Sequence, residues 1–370
     1  MGISSSLGSS ALLPAGLGFR NLIINGAMQI AQRNTSVASI TTGGYYTADR
    51  YTIGASSIGT WTQSVENDAP TGSGFRKSLK MLCTTADASP AAGDYLLMRQ
   101  LLEGQNLQQI KKGTTSAQQM YLSFWVKANV SGTYILEIED TDNSRAISKS
   151  YVVNTINTWE YKTIEIPADA TGALDNDSAA SLAVTWWLAS GSTYTSGTLA
   201  TSWAGLTSAN RAVGQVNLAS ATNNYWQITG VQLEANYQPT PFEHRPFGVE
   251  LALCQRYWEQ SYPYGTAAGT ATTDGAFTES DSGNASGNHF HTIRFVVPKR
   301  NNTYTISAYR ASDGLATYWV VYSSPQPSGY AQVLQAYRKT VYSMTVYASD
   351  GGYSWIVGLT EGHWTVNAEL

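Results

Sequence analysis

Charge is scarce in this 370-residue sequence: Asp, Glu, Lys and Arg occupy 13% of positions, and Lys and Arg do not cluster. Sequence-independent attachment to nucleic acid needs grouped Lys and Arg. With a net charge of -4 and no such group, nucleic acid is not an expected partner. Cysteine is nearly absent. Cys83 and Cys254 are too few for a disulfide framework, and read as buried thiols of a protein made in a reducing cytoplasm. No apolar run approaches the roughly 20 residues that span a bilayer, so membrane insertion is not expected. The opening residues MGISSSLGSSALLPAGLGFR lack the basic start and continuous apolar stretch of a secretory signal.

Catalytic motifs are lacking as well. There is no GxSxG elbow and no supported Cys/His pair. Sugar-bond hydrolysis needs two carboxylates flanking the bond. Glu137 and Glu139 would share one strand face, and Asp140 and Asp142 follow in the turn DTDNS, but they read as solvated edge and turn. An enzyme is not expected. Asp140, Asp142 and Ser144 offer oxygens at alternate positions, as calcium loops do. Arg145 stands where an EF-hand has Gly, so this is not an EF-hand.

What the chain does have is Tyr (23), Trp (11) and Gly (33), a composition suited to strands and tight turns. The expected fold class is all-β, and the length suggests two domains. Residues 1–20 are Ser- and Gly-rich and read as a linker or attachment peptide. From Asn21 the chain reads as strand-like. YLSFWVKA (Tyr121–Ala128), TYILEIE (Thr133–Glu139), WEYKTIEIP (Trp159–Pro167), SLAVTWWLA (Ser181–Ala189) and YWQITGVQLE (Tyr225–Glu234) are strand runs separated by turn signals, a spacing that suggests a β-sandwich over 21–246. LLMRQLLEGQNLQQI (Leu96–Ile110) reads as a helix or irregular segment split by Gly104. Pro239, Pro241 and Pro246 forbid a continuing central strand. After them, apolar spacing at Leu251, Cys254 and Trp258 predicts a short helix over 247–263, stopped by Pro263. It is too short to stand alone in water and must pack on something. Six further strand runs over 264–370 predict a second, smaller β-domain.

Several of these stretches carry a resemblance. NLIINGAMQIAQRN (Asn21–Asn34), GGYYTADRY (Gly43–Tyr51), YLSFWVKA, TWEYKTIEIPADATG (Thr158–Gly172) and TGVQLEANYQPTPFEHRP (Thr229–Pro246) occur in the order found in phage tail-fibre and receptor-binding proteins. RPFGVELALCQRYW and the terminal HWTVNAEL also resemble segments of such fibres. The resemblance covers Asn21–Trp258 well and the remainder only by its ends. It implies a jelly-roll sandwich similar to galactose-binding-like carbohydrate-binding modules, in a homotrimer on the virion. The N-terminal peptide would dock to a tail or baseplate protein, and the receptor would be a host cell-surface glycan.

On that reading Leu251, Cys254 and Trp258 would meet their symmetry mates on the three-fold axis. The same stripe could instead pack on its own chain. Jelly-roll carbohydrate modules often carry one structural calcium. Asn21–Gly26 and Glu234 are the matching segments, without individual ligands being assignable. His289 and His291 alternate on a strand and so project to one face. Three chains would present six imidazoles to one ion, as some fibres do, although exposed strand histidines are the plainer reading.

Sugar contacts need aromatic faces for stacking and polar forks for hydroxyls. The Tyr-rich second domain supplies Tyr318, Trp319, Tyr330, Tyr337, Arg338, Tyr353 and Trp355, with Tyr309 and Arg310 nearby, around loops that suit a distal tip. Trp186 and Trp187 are adjacent, so one is expected to face out of the sandwich. The expected function is non-covalent, multivalent attachment to a host glycan. The alternatives are a structural adaptor or decoration subunit of the tail or capsid, and, less favoured, a polysaccharide depolymerase.

Overall fold

The computed structural model describes residues 19–281, 288–323, 330–349 and 358–370. The expected attachment peptide therefore lies almost wholly outside the described residues. The strands of the first unit are β1 (Ser36–Ile40), β2 (Gly44–Tyr45), β3 (Thr52–Ser56), β4 (Thr60–Glu66), β5 (Ser78–Thr85), β6 (Tyr95–Glu103), β7 (Met120–Ala128), β8 (Gly132–Asp140), β9 (Arg145–Val153), β10 (Glu160–Ile166), β11 (Ala180–Ser190), β12 (Ala204–Gly205) and β13 (Tyr225–Ala235). They form two antiparallel sheets, ordered β1-β4-β5-β13-β7-β10 and β12-β9-β8-β11-β6-β3-β2. The chain crosses repeatedly between them, which makes a jelly-roll-like β-sandwich.

Alternation explains the pairing of the faces. In β7, Met120, Leu122, Phe124, Val126 and Ala128 point inward and are buried, while Tyr121, Trp125 and Lys127 stay partly exposed. Trp61, Trp186, Trp226, Tyr134 and Tyr151 fill the space between the sheets. Trp226 Nε1 donates to the Tyr151 hydroxyl at 3.2 Å, so this buried indole has its partner.

Three expectations change here. Leu96–Glu103 is not helical but part of β6, paired on both sides by β3 and β11, because strands were waiting on each edge. Gly104 then allows the turn: a Cβ there would lie 2.0 Å from the Asp175 carbonyl oxygen. Asn21–Asn34 is not a strand either. It runs as an irregular, largely buried segment whose backbone is met by side chains. The Asn25 amide accepts from Ile30 N–H at 2.9 Å and donates to the carbonyls of Ile30 and Asp49.

The third change concerns the helix. One turn, α1 (Ser192–Thr195), lies in the sandwich, and α2 spans only Phe247–Gln255. The expected run to residue 263 fails because Trp258–Gln260 forms β14 and pairs with β21, Trp258 opposite Asn367. The other strands of this smaller unit are β15 (Phe277–Asp281), β16 (Asn288–Arg294), β17 (Thr305–Tyr309), β18 (Tyr318–Ser323), β19 (Tyr330–Lys339), β20 (Ser343–Ser349) and β21 (Gly358–Asn367). β21 pairs with β14, β15, β17 and β18 and organises a separate core of Tyr304, Trp319, Met344, Trp364 and Val366.

Charged side chains tie the two units together. The carboxylate of Glu369 meets Arg50 and, at 3.1 Å, Arg33. Arg50 is fully buried, its guanidinium 3.4 Å from the centroid of the Tyr257 ring. Arg256 holds Glu103 with two bonds of 2.8 Å.

Candidate functional site

The outer face of the seven-stranded sheet carries a hollow walled by both aromatic and charged side chains. β6, β11 and β8 place Arg99, Thr185 and Glu137 side by side, with Leu97, Trp187 and Ile135 as the next row. A one-residue irregularity in β11 follows Trp187 and re-aims the chain toward α1. The stretch from Gly191 to Val216 then folds back over this face. Ser148 N–H donates to the Ala200 carbonyl at 2.7 Å, Ser148 Oγ to that of Arg211 at 2.9 Å, and Ala212 N–H to that of Tyr194 at 2.9 Å. Gly191 is required at the fold-back, where a Cβ would lie 1.9 Å from the Ala91 carbonyl oxygen.

The fold-back leaves a recess of about 190 Å³ lined by Gly54, Tyr95, Leu97, Arg99, Glu139, Trp187, Tyr194 and Arg211. Its aromatic wall is tightly set. Tyr194 lies 5.1 Å from Trp187 and 5.5 Å from Tyr95, centroid to centroid. Tyr95 and Tyr194 are half-buried, so part of each ring is open to solvent. Its polar wall is a fork. Arg211 donates from Nε to Glu137 at 2.8 Å and from Nη2 to Glu139 at 2.7 Å, and its guanidinium lies 5.3 Å from the Trp187 ring centroid. Burial pushes the Glu137 carboxyl above its ordinary value, and the neighbouring Glu139 charge adds to this; the bonds and charge of Arg211 pull it back without cancelling the rise. Two donors of lining residues have no partner among the described residues: Arg99 Nε and Trp187 Nε1, both buried. Leaving a buried donor unmet costs about 1–3 kcal/mol.

Sequence reasoning placed the sugar contacts elsewhere. Trp319 is fully buried, its Nε1 donating to the His363 carbonyl at 2.7 Å and its ring stacked 5.3 Å from Phe277, so it is a core residue. Tyr318, beside it on β18, is half-buried. Arg338 is exposed on β19, and Arg310 is paired to Asp313. Tyr330 and Tyr337 also lie on β19, but their side chains fall outside what is described, as do Tyr353 and Trp355 altogether. Trp187 does face away from the space between the sheets, as adjacency to Trp186 requires. It is nevertheless 1% exposed, because α1 and Arg211 cover it.

The metal and helix expectations also change. His291 is buried, with Nδ1 2.9 Å from Glu279 Oε2 and Nε2 2.9 Å from Thr360 Oγ1, so both ring nitrogens are engaged within the chain. The side chain of His289 lies outside the described residues. Cys254 is buried in its own chain, where burial raises its thiol well above the ordinary value. Trp258 has left the helix, and Arg33 stacks 4.0 Å from its ring centroid. Of that trio only Leu251 is a half-exposed helix position. The calcium segments do not fit a cation cage. Glu234 accepts from Thr240 N–H at 2.8 Å and Thr240 Oγ1 at 2.7 Å and pairs with Arg20, while Asn21 bonds the backbone of Val231 and Leu233. In the DTDNS turn, Lys112 already supplies the cation, held between Asp140 and Asp169. Among the described residues no group of three or more His, Cys, Asp or Glu is placed to hold a metal.

Two features of the recess were legible early: the shared face of Glu137 and Glu139, and the Trp pair. Tyr95, Arg99, Tyr194 and Arg211 were missed. No periodic signal marks them, since they come from β6 and a loop that only the fold brings together.

No protein-family model matches the chain, and no curated protein does. Solved structures similar to part of it include the bacteriophage CBA120 tailspike protein 4 enzymatically active domain, with 14% identity over 59% of this chain and a TM-score of 0.32. The chain spans 22% of the length of that tailspike. They also include TmCBM61 in complex with beta-1,4-galactotriose, with 8% identity, 59% of this chain and 99% of that one covered, and a TM-score of 0.30. A third is the family 11 carbohydrate-binding module from Clostridium thermocellum in complex with a beta-1,3-1,4-mixed-linked tetrasaccharide, with 10% identity, 56% and 99% covered, and a TM-score of 0.28.

Proposed function

We propose that this protein is a phage tail-fibre or receptor-binding protein that attaches the virion to a host cell-surface glycan, and that the recess on the outer sheet face is its sugar seat. The ordered motifs from Asn21 to Trp258 support the virion role. The homotrimer and the tail or baseplate partner belong to the same proposal. The observation that carries the binding role is the pairing of half-open Tyr95 and Tyr194 rings with the Arg211–Glu139 fork in one concavity. Aromatic faces take the apolar face of a pyranose, and a fork takes its hydroxyls. Strands hold Tyr95 and Glu139, while ring packing fixes Tyr194 and the ion pairs fix Arg211, so little ordering is needed on binding.

Binding rather than hydrolysis fits the carboxylates. Glu137 and Glu139 stand two apart on one strand and both grip one guanidinium, instead of facing each other across a groove. The test is binding of a fluorescent fusion of the full chain to a panel of bacterial cells, with and without periodate oxidation of surface glycans, beside a Tyr194→Ala fusion. Strain-selective binding lost on oxidation and in Y194A is expected. Binding that survives oxidation would mean a protein receptor. No binding, even to a strain the source phage infects, would favour a structural subunit of the tail.

A further inference from the structure

Arg99 shares the recess with Glu139 and Arg211 and its charge is felt at Glu137, but it is not bonded to any of them. Arg211 satisfies Glu137 with Nε and Nη2 and reaches Glu139 with Nη2. Arg99 is two strands from Glu137, with Thr185 between them, which at the usual strand spacing is about 10 Å. Among the described residues no carboxylate is in ion-pair contact with Arg99, and its buried Nε has no hydrogen-bond partner. Trp187 Nε1, in the same lining, is likewise a donor without an acceptor. The two orphaned atoms are themselves enclosed, but the Arg99 side chain is half-buried and lines the recess. Its guanidinium is a cation there without a bonded counter-ion among the described residues, and an anion is the group that would match it.

We infer that the recess takes an acidic sugar, a hexuronic or sialic-type residue whose carboxylate seats on Arg99. This rests on the sugar-binding reading above and names its ligand class. The planar fork of a guanidinium matches a carboxylate with two parallel bonds. The sugar ring would then lie toward Tyr95 and Tyr194. Gly54 lets Leu97 and Tyr95 pack close onto β3: a Cβ there would lie 2.7 Å from Leu97 Cδ1 and 3.3 Å from Tyr95 Cε2. The free oxygen of Glu139, the one not bonded to Arg211, remains as an acceptor for a hydroxyl.

The experiment is calorimetric titration of the full chain with oligogalacturonate, oligoglucuronate and oligosialic acid. Each is compared with the same oligosaccharide after carboxyl reduction, and with a sulfated galactan. The expected result is binding to at least one carboxylated series, weakened tenfold or more by carboxyl reduction and by raising salt. Arg99→Gln should abolish that preference while its melting temperature stays near wild type, and Arg99→Lys should restore part of it. Equal affinity for native and reduced sugars, with loss in Y194A, would overturn the acidic ligand and leave the sugar seat standing. Preference for the sulfated galactan over every carboxylated series would overturn it too. Carboxylate-dependent binding unaffected by R99Q and Y194A would move the seat out of the recess. No binding to any of these oligosaccharides would overturn the acidic ligand, and the periodate-sensitive cell binding described above would then decide the sugar seat. The reduction arm uses wild-type protein, so it decides even if R99Q fails to fold.

Discussion

Arg211 and Glu137 are 74 positions apart in sequence and form a two-bond ion pair on the outer face of the larger sheet, with Glu137 fully buried. The pair nails the 191–216 fold-back to β8. Replacing Arg211 with Ala leaves a buried carboxylate without its bonded counter-charge, which costs about 3–5 kcal/mol. We expect a matching fall in thermal and denaturant stability, and loss of glycan binding. A double variant, Arg211→Met with Glu137→Leu, should recover most of the stability and none of the binding. Denaturant melts and cell-binding assays of the three proteins check this.

Gly191 sets where Tyr194 stands. Gly191→Ala puts a methyl against the Ala91 carbonyl and must push the α1 turn outward. Overpacking of this kind costs about 1–3 kcal/mol. The expected outcome is a modest drop in melting temperature with a larger loss of glycan affinity, measured by calorimetry on the same preparation.

Trp319 separates core from site. Trp319→Ala should destabilise the smaller unit by about 3–5 kcal/mol, as burial of a large aromatic predicts. Glycan binding below the unfolding transition should stay at the wild-type level. A selective loss of binding at a temperature where circular dichroism shows native protein would return the sugar contacts to the C-terminal strands.

Glu369 holds the smaller unit onto the sandwich through Arg50 and Arg33. Glu369→Ala leaves the fully buried Arg50 without its carboxylate, at a cost of about 3–5 kcal/mol. Limited proteolysis should then cut between the units, near residues 236–246, faster than in the wild type.

The Glu103–Arg256 pair makes the same junction acid-sensitive. Burial alone would raise the Glu103 carboxyl, but hydrogen bonds from Arg256 and Tyr257 and the Arg256 charge outweigh it and hold the group below its ordinary 4.5. A depressed folded-state value means the unfolded chain takes up the proton first. The contribution is therefore complete above about pH 5 and is lost as pH falls through 4.5 and below. Glu103→Gln should be less stable than wild type at pH 7, and the gap should narrow on acidification to pH 3. Melting curves at both pH values check the sign.

The sequence alone determined the strands. Alternation in MYLSFWVKA and the β-rich runs around it left one way to bury Leu122, Phe124 and Val126, so the all-β class and the sandwich were readable from spacing and turns. Local patterning also put Glu137 and Glu139 on one face. It misjudged Leu96–Glu103, whose spacing suits a helix until two strands flank it, and Trp258, whose backbone found partners in β21. Only the tertiary structure decided which polar groups meet. Arg211, Tyr194 and Arg99 reach the recess from separate segments. Their positions follow from strand order and from a loop folding back on a sheet, and neither leaves a local period in the sequence. Trp319 shows the converse: an aromatic beside a polar loop reads as a binding residue until its neighbours enclose it, and enclosure is a property of the whole fold.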